Sequence, residues 1–246
     1  MKRVQAGQLD AWLNASDRRP LVLRGARQVG KTWLVRDLAQ RAGRDLVEIN
    51  LERQPALRRY FTSNDPSAIL GELSLALNRP IKPGSSLLFL DEIQAAGELL
   101  AKLRWFYEEM PDLPVLAAGS LLEFTLADHD FSMPAGRIAF LQIEPMGYME
   151  YLWAHRQDRV AAVLAGWRPG QDPSGAAHDS ADRWFRRYAM VGGMPAAVAA
   201  DVAGREPRFI RDLQRDLVAT YRADFSKYSG RMDRNILDAV LTAVAG

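Results

Sequence analysis

The stretch of sequence that decides the fold is LVLRGARQVGKTWLVRDLAQ, residues 21–40. It begins with an apolar run at 21–23 and continues through a glycine-containing loop. It ends in a segment whose Leu34, Val35 and Leu38 share one face of a helix. The predicted order is therefore strand, loop and helix. Such a loop is held against the positive dipole end of the helix, which favours a bound anion.

The loop matches the Walker A pattern G-x-x-x-x-G-K-[ST] at every fixed position, with Gly25, Gly30, Lys31 and Thr32. The glycines let the backbone turn so that successive N–H groups reach phosphate oxygens. In such loops the lysine neutralises the β and γ phosphates and the hydroxyl ligates Mg²⁺. A chance match to the pattern would not require a strand before the loop and a helix after it, and the sequence predicts both. We assign nucleotide contacts to Gly25, Ala26, Arg27, Gln28, Val29, Gly30, Lys31, Thr32 and Trp33.

A second motif of the Walker B type is LLFLDE, residues 87–92. It is an apolar strand that ends in Asp91 and Glu92, and open α/β sheets bind ligands at the carboxyl ends of their strands. We predict that Asp91 holds Mg²⁺ and that Glu92 orients or deprotonates the attacking water. A guanine-specific GTPase would usually carry an Asn-Lys-x-Asp motif, which the sequence lacks. ATP is therefore the expected nucleotide.

Further apolar runs at 46–51, 115–118 and 138–143 predict three more strands, with helical patterns between them. Strands that alternate with helices indicate an α/β fold with a mainly parallel sheet covered on both faces.

The segment 166–182 is rich in Gly, Pro, Ser and Asp, and we interpret it as a flexible loop or linker. The predicted domains are a P-loop ATPase domain at 1–165 and, after the linker, a small helical or winged-helix-like module at 183–246. Asp233 is the expected N-cap of the last helix. That helix has an apolar face that needs a partner, so we expect the module to be incomplete and the chain to be a fragment.

Composition excludes several classes of protein. The 246 residues have a formal net charge of +2 and no cysteine, so nucleic acid is allowed but not required, and disulfides and thiolate metal sites are excluded. No stretch has the continuous apolar character of a secretory signal or a membrane span. We expect a cytoplasmic protein that makes no contact with a membrane.

Seven stretches together resemble the prokaryotic AAA-like P-loop ATPases that carry a C-terminal domain of uncharacterised function. They are GARQVGKT, INLE, LFLDEIQ, LAAGSLLEF, MPAGR, LQIEPMGYMEYL and GGMP, between residues 21 and 195. The resemblance implies a five-stranded sheet with a central phosphate-loop strand, followed by a winged-helix-like module. The sequence departs from the family at Trp33, where a small polar residue is usual. It also lacks the usual C-terminal domain, which indicates C-terminal truncation.

The resemblance also implies roles for three residues outside the two motifs. Ser120, after the fourth strand, would be a sensor of the γ-phosphate or the attacking water. Arg137, before the fifth strand, would be a catalytic arginine acting in cis or in trans. Pro195 of GGMP would pack the helical module against adenine and ribose. The simpler alternatives are a Gly-Ser turn, a solvated arginine and a helix stop.

We therefore predict an Mg²⁺-ATP-binding and ATP-hydrolysing domain with Lys31, Glu92, Ser120 and Arg137 as catalytic residues. It would act as a switch or motor on an unidentified macromolecular partner. A protein partner or self-association is expected, and DNA is a further possible partner. The alternative is a nucleotide-gated DNA- or protein-binding module with negligible turnover. Arginines of the C-terminal module alternate with acids, which favours a solvated surface over a DNA-binding stripe. A small-molecule kinase would need an acceptor pocket and a lid, for which we find no motif.

Overall fold

The computed structural model describes residues 1–120, 136–168, 170–171, 175–224 and 233–245. Two of the resembling stretches extend into residues 121–124 and 133–135, which lie outside the described residues. The chain divides into two compact units, Lys2–Pro145 and Met146–Gly246. This division precedes the segment expected to be a linker, and residues 175–182 of that segment begin a helix. Its alanines favour a helix, which the Gly, Pro and Ser content had obscured.

The first unit is built on one five-stranded sheet, with every pairing parallel. Its strands are β1 Leu21–Arg24, β2 Asp45–Asn50, β3 Ser86–Asp91, β4 Val115–Ala118 and β5 Ala139–Gln142. The order is β2-β3-β4-β1-β5, so the five predicted strands are confirmed. The strand before the phosphate loop is interior, paired with β4 and β5, while β4 occupies the middle of the sheet.

Helices cover this sheet. They are α1 Val4–Leu13, α2 Lys31–Arg41, α3 Pro66–Ala76 and α4 Leu99–Glu109, with short 3-10 helices at Pro55–Phe61 and Ile93–Ala96. Every residue of β3 is buried, as a strand covered on both faces requires. Leu88 and Leu90 of that strand belong to a core that also contains Leu103 and Phe106 of α4. This packing fixes the end of β3, where Asp91 lies.

The second unit is helical wherever the structure describes it. Its helices are α5 Tyr148–Ala154, α6 Asp158–Gly166, α7 Gly175–Val191, α8 Pro195–Val202, α9 Pro207–Asp224 and α10 Arg234–Ala245. Among the described residues the module is therefore helical, as the first of the two predicted alternatives has it. Asp233 accepts the backbone N–H of Asn235 at 2.8 Å, which confirms the predicted N-cap. None of the described helices is both long enough and apolar enough to cross a membrane.

A buried acidic residue organises the interior of the second unit. Asp201 of α8 accepts hydrogen bonds from the Tyr151 hydroxyl and from Arg187, whose Nη2 lies 2.7 Å from Oδ1. His155 Nε2 lies 2.9 Å from Asp201 Oδ2. Burial alone would raise the pKa of Asp201, but the guanidinium and the hydroxyl outweigh it and hold the pKa below its usual range. The network joins α5, α7 and α8.

The GGMP stretch is a turn between two helices, since α7 ends at Val191 and α8 begins at Pro195. A Cβ on Gly193 would lie 2.2 Å from the carbonyl oxygen of Met146. The Met146 N–H donates to the carbonyl oxygen of Gly193 at 2.7 Å. This close approach of two backbones requires glycine. The helix stop is thus observed, and the nucleotide contact of Pro195 stays a prediction.

Candidate functional site

The loop after β1 has a backbone that only particular residues adopt. Gly25 has φ +138°, Gly30 has φ +95°, and the non-glycine residue Gln28 has φ +65°. A Cβ on Gly25 would lie 2.1 Å from the carbonyl oxygen of Ile143, just after β5. The start of the loop is therefore pressed against the end of β5, and glycine at this position is a steric requirement.

Lys31 begins α2 and turns its side chain back onto the loop. Its buried ammonium donates to the carbonyl oxygens of Gly25 at 2.9 Å and Ala26 at 2.8 Å. A cation is thus held inside a loop whose N–H groups also favour negative charge. The arrangement suits a polyphosphate.

Thr32 and Asp91 are brought into contact although they are far apart in sequence. The Thr32 hydroxyl donates to Asp91 Oδ2 at 3.1 Å. Asp91 is only 7% exposed, and burial, followed by the negative charge of Glu92, raises its pKa. The Thr32 hydroxyl and the Glu92 N–H oppose this shift. A poorly solvated carboxylate beside a hydroxyl gains from a hard cation, so this oxygen pair fits Mg²⁺.

Glu92 follows Asp91 in a left-handed backbone conformation, with φ +53°. For a non-glycine residue such a conformation costs on the order of 1 kcal/mol, and residues of this kind cluster at functional sites. The strained turn ends β3 and begins the 3-10 helix Ile93–Ala96. The Glu92 carboxylate accepts a hydrogen bond from Gln94 Nε2 at 2.5 Å. Its direction is therefore fixed.

Ser120 lies at the same edge of the sheet. Gly119 donates its N–H to the carbonyl oxygen of Leu23 at 3.3 Å, which places the residue after β4 beside the start of the phosphate loop. The Ser120 hydroxyl is shielded from solvent and has no hydrogen-bond partner among the described residues. Buried polar atoms are rarely left without a partner, so this hydroxyl is a candidate for contact with a ligand.

The structure does not bring Arg137 to this edge. Arg137 stands before the amino end of β5 and donates from Nε to Glu108 Oε1 at 2.7 Å. Gln142 is the last residue of β5 and lies five positions after Arg137. At about 3.3 Å per residue, this separation is on the order of 17 Å. Within its own unit, Arg137 therefore lies at the opposite end of the sheet from the phosphate loop.

The remaining predicted contacts are distributed as follows. Trp33, in the first turn of α2, is 44% exposed. Ala26 and Gln28 are exposed, Arg27 is half-buried, and Val29 is buried beneath the loop. Pro195 belongs to the second unit.

Sequence reasoning missed Arg3, which is 5% exposed. Its Nη1 donates to the carbonyl oxygen of Val29 at 2.9 Å, and its Nη2 donates to that of Glu144 at 2.7 Å. One guanidinium thus joins the phosphate loop to the segment after β5. No local pattern around Arg3 indicates this contact, because its partners are distant in sequence.

We expect Arg3→Met to loosen the phosphate loop. It removes both bonds and should lower the free energy of unfolding by about 1–3 kcal/mol. ATP affinity should fall about tenfold, which corresponds to about 1.4 kcal/mol. Urea unfolding and equilibrium titration with ATP measure the two effects. The matched control is Arg53→Met at an exposed position. An Arg3→Met protein that binds ATP as the wild type does would contradict this role.

The fold and the site define a class. A parallel β2-β3-β4-β1-β5 sheet, with a Gly-Lys-Thr loop after β1 and an Asp-Glu pair at the end of β3, is that of an α/β P-loop NTPase. Residues 17–152 match the model of the AAA domain family, and the chain belongs to that family. Residues 182–246 match a second model, described as a domain of unknown function.

Solved structures similar to the chain have low sequence identity to it. A variant of Thermotoga maritima RuvB is 19% identical, with TM-score 0.39, over 65% of this chain and 50% of that one. The Aeropyrum pernix ORC2 protein is 18% identical, with TM-score 0.42, over 86% and 67%. Cdc6p from Pyrobaculum aerophilum is 18% identical, with TM-score 0.37, over 83% and 64%. The chain thus spans half the length of the RuvB chain. None of the curated proteins matches.

Proposed function

We propose that the chain binds Mg²⁺-ATP in the loop 25–32 and hydrolyses it. The contact between the Thr32 hydroxyl and Asp91 Oδ2, at 3.1 Å, carries this proposal. It joins the first turn of the helix after the phosphate loop to the end of β3, which β4 separates from β1 in the sheet. Lys31 on one side and Glu92 on the other complete a set of phosphate-binding, metal-binding and water-activating groups.

Each residue has a role in this proposal. The loop N–H groups and Lys31 hold the phosphates, and Thr32 and Asp91 would hold Mg²⁺. When bound, the ion supplies positive charge that offsets the charge of the phosphates. Glu92 accepts a proton from water as the water oxygen bonds to the γ-phosphorus. The bond from that phosphorus to the β–γ bridging oxygen breaks, giving ADP and phosphate. The Ser120 hydroxyl donates to a γ-phosphate oxygen.

The proposed role of Arg137 is to act on the nucleotide of a second copy of the chain. Its position at the amino end of β5 and its exposed side chain support an action in trans over one in cis. A cation supplied from a neighbour stabilises the charge that develops on the phosphoryl group. The rate of ATP turnover per protomer would then rise with protein concentration. This turnover would drive a switch or motor that acts on a macromolecular partner.

The rival function is a nucleotide-gated DNA-binding module with negligible turnover, and the exposed arginines of α9 favour it. Some of these arginines already form ion pairs with acidic residues of the same unit. Arg222 lies 2.8 Å from Asp238, and Arg215 lies 3.8 Å from Asp212. Duplex DNA added at low and at moderate salt separates the two functions, because binding through phosphates weakens steeply with salt. Salt-sensitive DNA binding without phosphate production would favour the rival.

The test of the proposal is ATP binding and hydrolysis by Lys31→Ala. Removing the ammonium from the loop should weaken ATP binding by about 10–100-fold, or about 1.4–2.8 kcal/mol. Titration with a fluorescent ATP analogue measures it. Lys82→Ala, at an exposed lysine, is the matched control and should bind as the wild type does. Equal affinity in both variants would overturn the assignment of the loop.

A further inference from the structure

Gln94 stands in the 3-10 helix Ile93–Ala96, two positions after Glu92. Its Nε2 donates to Glu92 Oε2 at 2.5 Å. An ionised carboxylate only accepts hydrogen bonds, so the amide nitrogen must face Glu92, and the amide oxygen is left for another donor. The orientation of the side chain is therefore set by chemistry.

The other end of this amide has no partner. Gln94 Oε1 is shielded from solvent and accepts no hydrogen bond among the described residues. A buried acceptor without a donor is costly. Gln94 Oε1 is also the free end of an amide whose other end already holds Glu92, so a donor bound beside Glu92 would satisfy it.

The attacking water supplies such a donor. For a lone pair of the water to point at the γ-phosphorus, both O–H bonds of the water must point away from the phosphorus, each towards a hydrogen-bond acceptor. Glu92 provides one acceptor, and only a second fixed acceptor removes the remaining rotation of the water. Such orientation is a large part of catalysis in phosphoryl transfer, where the protein acts mainly by positioning and electrostatics.

We propose that Gln94 is this second acceptor: its amide nitrogen holds the Glu92 carboxylate while its amide oxygen accepts the other O–H of the attacking water. This inference rests on the proposed ATP hydrolysis. The proton that leaves the water goes to Glu92, so Gln94 gains and loses no proton. Its contribution is to the orientation of the water and of the base.

The test uses Gln94→Met, which keeps the length of the side chain and removes both polar ends. We expect kcat to fall by about 10–100-fold, as is typical when one hydrogen-bonding group that acts in the transition state is lost. The dissociation constants of ATP and ADP should stay within about twofold of the wild type, because Gln94 contacts no phosphate in this scheme. Gln40→Met at the exposed end of α2 is the matched control.

A double-mutant cycle with Glu92→Gln separates this role from a merely structural one. If Gln94 acts together with Glu92, adding Gln94→Met to Glu92→Gln should lower kcat no further. A further drop equal to that of the single variant would overturn the proposal. So would a Gln94→Met protein with unchanged kcat, or one whose loss lies in nucleotide affinity.

Gln94→Glu provides a second variant if the methionine protein does not fold. It keeps an acceptor oxygen but replaces the donor with a charge that repels Glu92, so turnover should again fall while nucleotide binding is retained. Turnover by the wild-type protein would be measured in the same experiment. A wild-type protein without turnover would contradict the proposed function itself, whereas normal turnover in Gln94→Glu would contradict only the role of Gln94.

Discussion

Glu92→Gln should retain ATP binding and lose hydrolysis, with kcat reduced by about 10²–10³-fold. The amide has the size of the carboxylate but cannot take a proton from water. Binding should persist because Lys31 and the loop N–H groups are unchanged. The negative charge of Glu92 also contributes to the raised pKa of Asp91. Its removal should favour ionised Asp91 and hence Mg²⁺ binding.

Phosphate release and ATP titration, carried out on one preparation, measure this prediction. Glu98→Gln is the matched control, because Glu98 is an exposed glutamate only a few positions away. It should hydrolyse ATP at the wild-type rate. Undiminished hydrolysis by Glu92→Gln would show that another group is the base, and equal losses in both variants would point to a general effect of charge.

The second large effect is expected for Gly25→Ala. The new Cβ would lie 2.1 Å from the carbonyl oxygen of Ile143, and the backbone has φ +138°. Ile143 cannot easily retreat, since its N–H donates to the carbonyl oxygen of Arg24 at 2.8 Å. Strain and displacement together should lower the free energy of unfolding by about 3 kcal/mol or more. ATP binding should be lost with the loop.

Gly7→Ala is the matched control for this substitution. Gly7 lies inside α1, and a Cβ there meets nothing within 4 Å. Alanine at this position should stabilise the protein by about 0.5–1 kcal/mol, because glycine is unfavourable in a helix interior. Urea unfolding of both variants gives the comparison. A Gly25→Ala protein as stable as the wild type would contradict the packing described for the loop.

The strands and the two motifs were predictable from sequence for a simple reason. Strands buried on both faces need continuous apolar runs, such as LLFL before Asp91, and such runs are visible in a single sequence. Parallel strands also deliver their carboxyl ends to one edge. The convergence of Lys31, Thr32 and Asp91 therefore followed once the strands were recognised.

Contacts that depend on the folded chain were not predictable. Arg3 binds carbonyl oxygens of residues far away in sequence, and nothing in the sequence near it distinguishes this buried arginine from the arginines of the surface. The role proposed for Gln94 rests on one buried atom without a partner among the described residues, which sequence does not report. The register of β5 beside β1, and hence the distance of Arg137 from the phosphate loop, is defined only by the paired strands.

The most direct test of the central claim is a single-turnover experiment, with wild-type protein in excess over γ-labelled ATP. The account predicts that Mg²⁺ allows all bound ATP to be converted to ADP and phosphate, and that chelation of Mg²⁺ stops the conversion. Recovery of intact ATP from the protein–nucleotide complex in the presence of Mg²⁺ would contradict it.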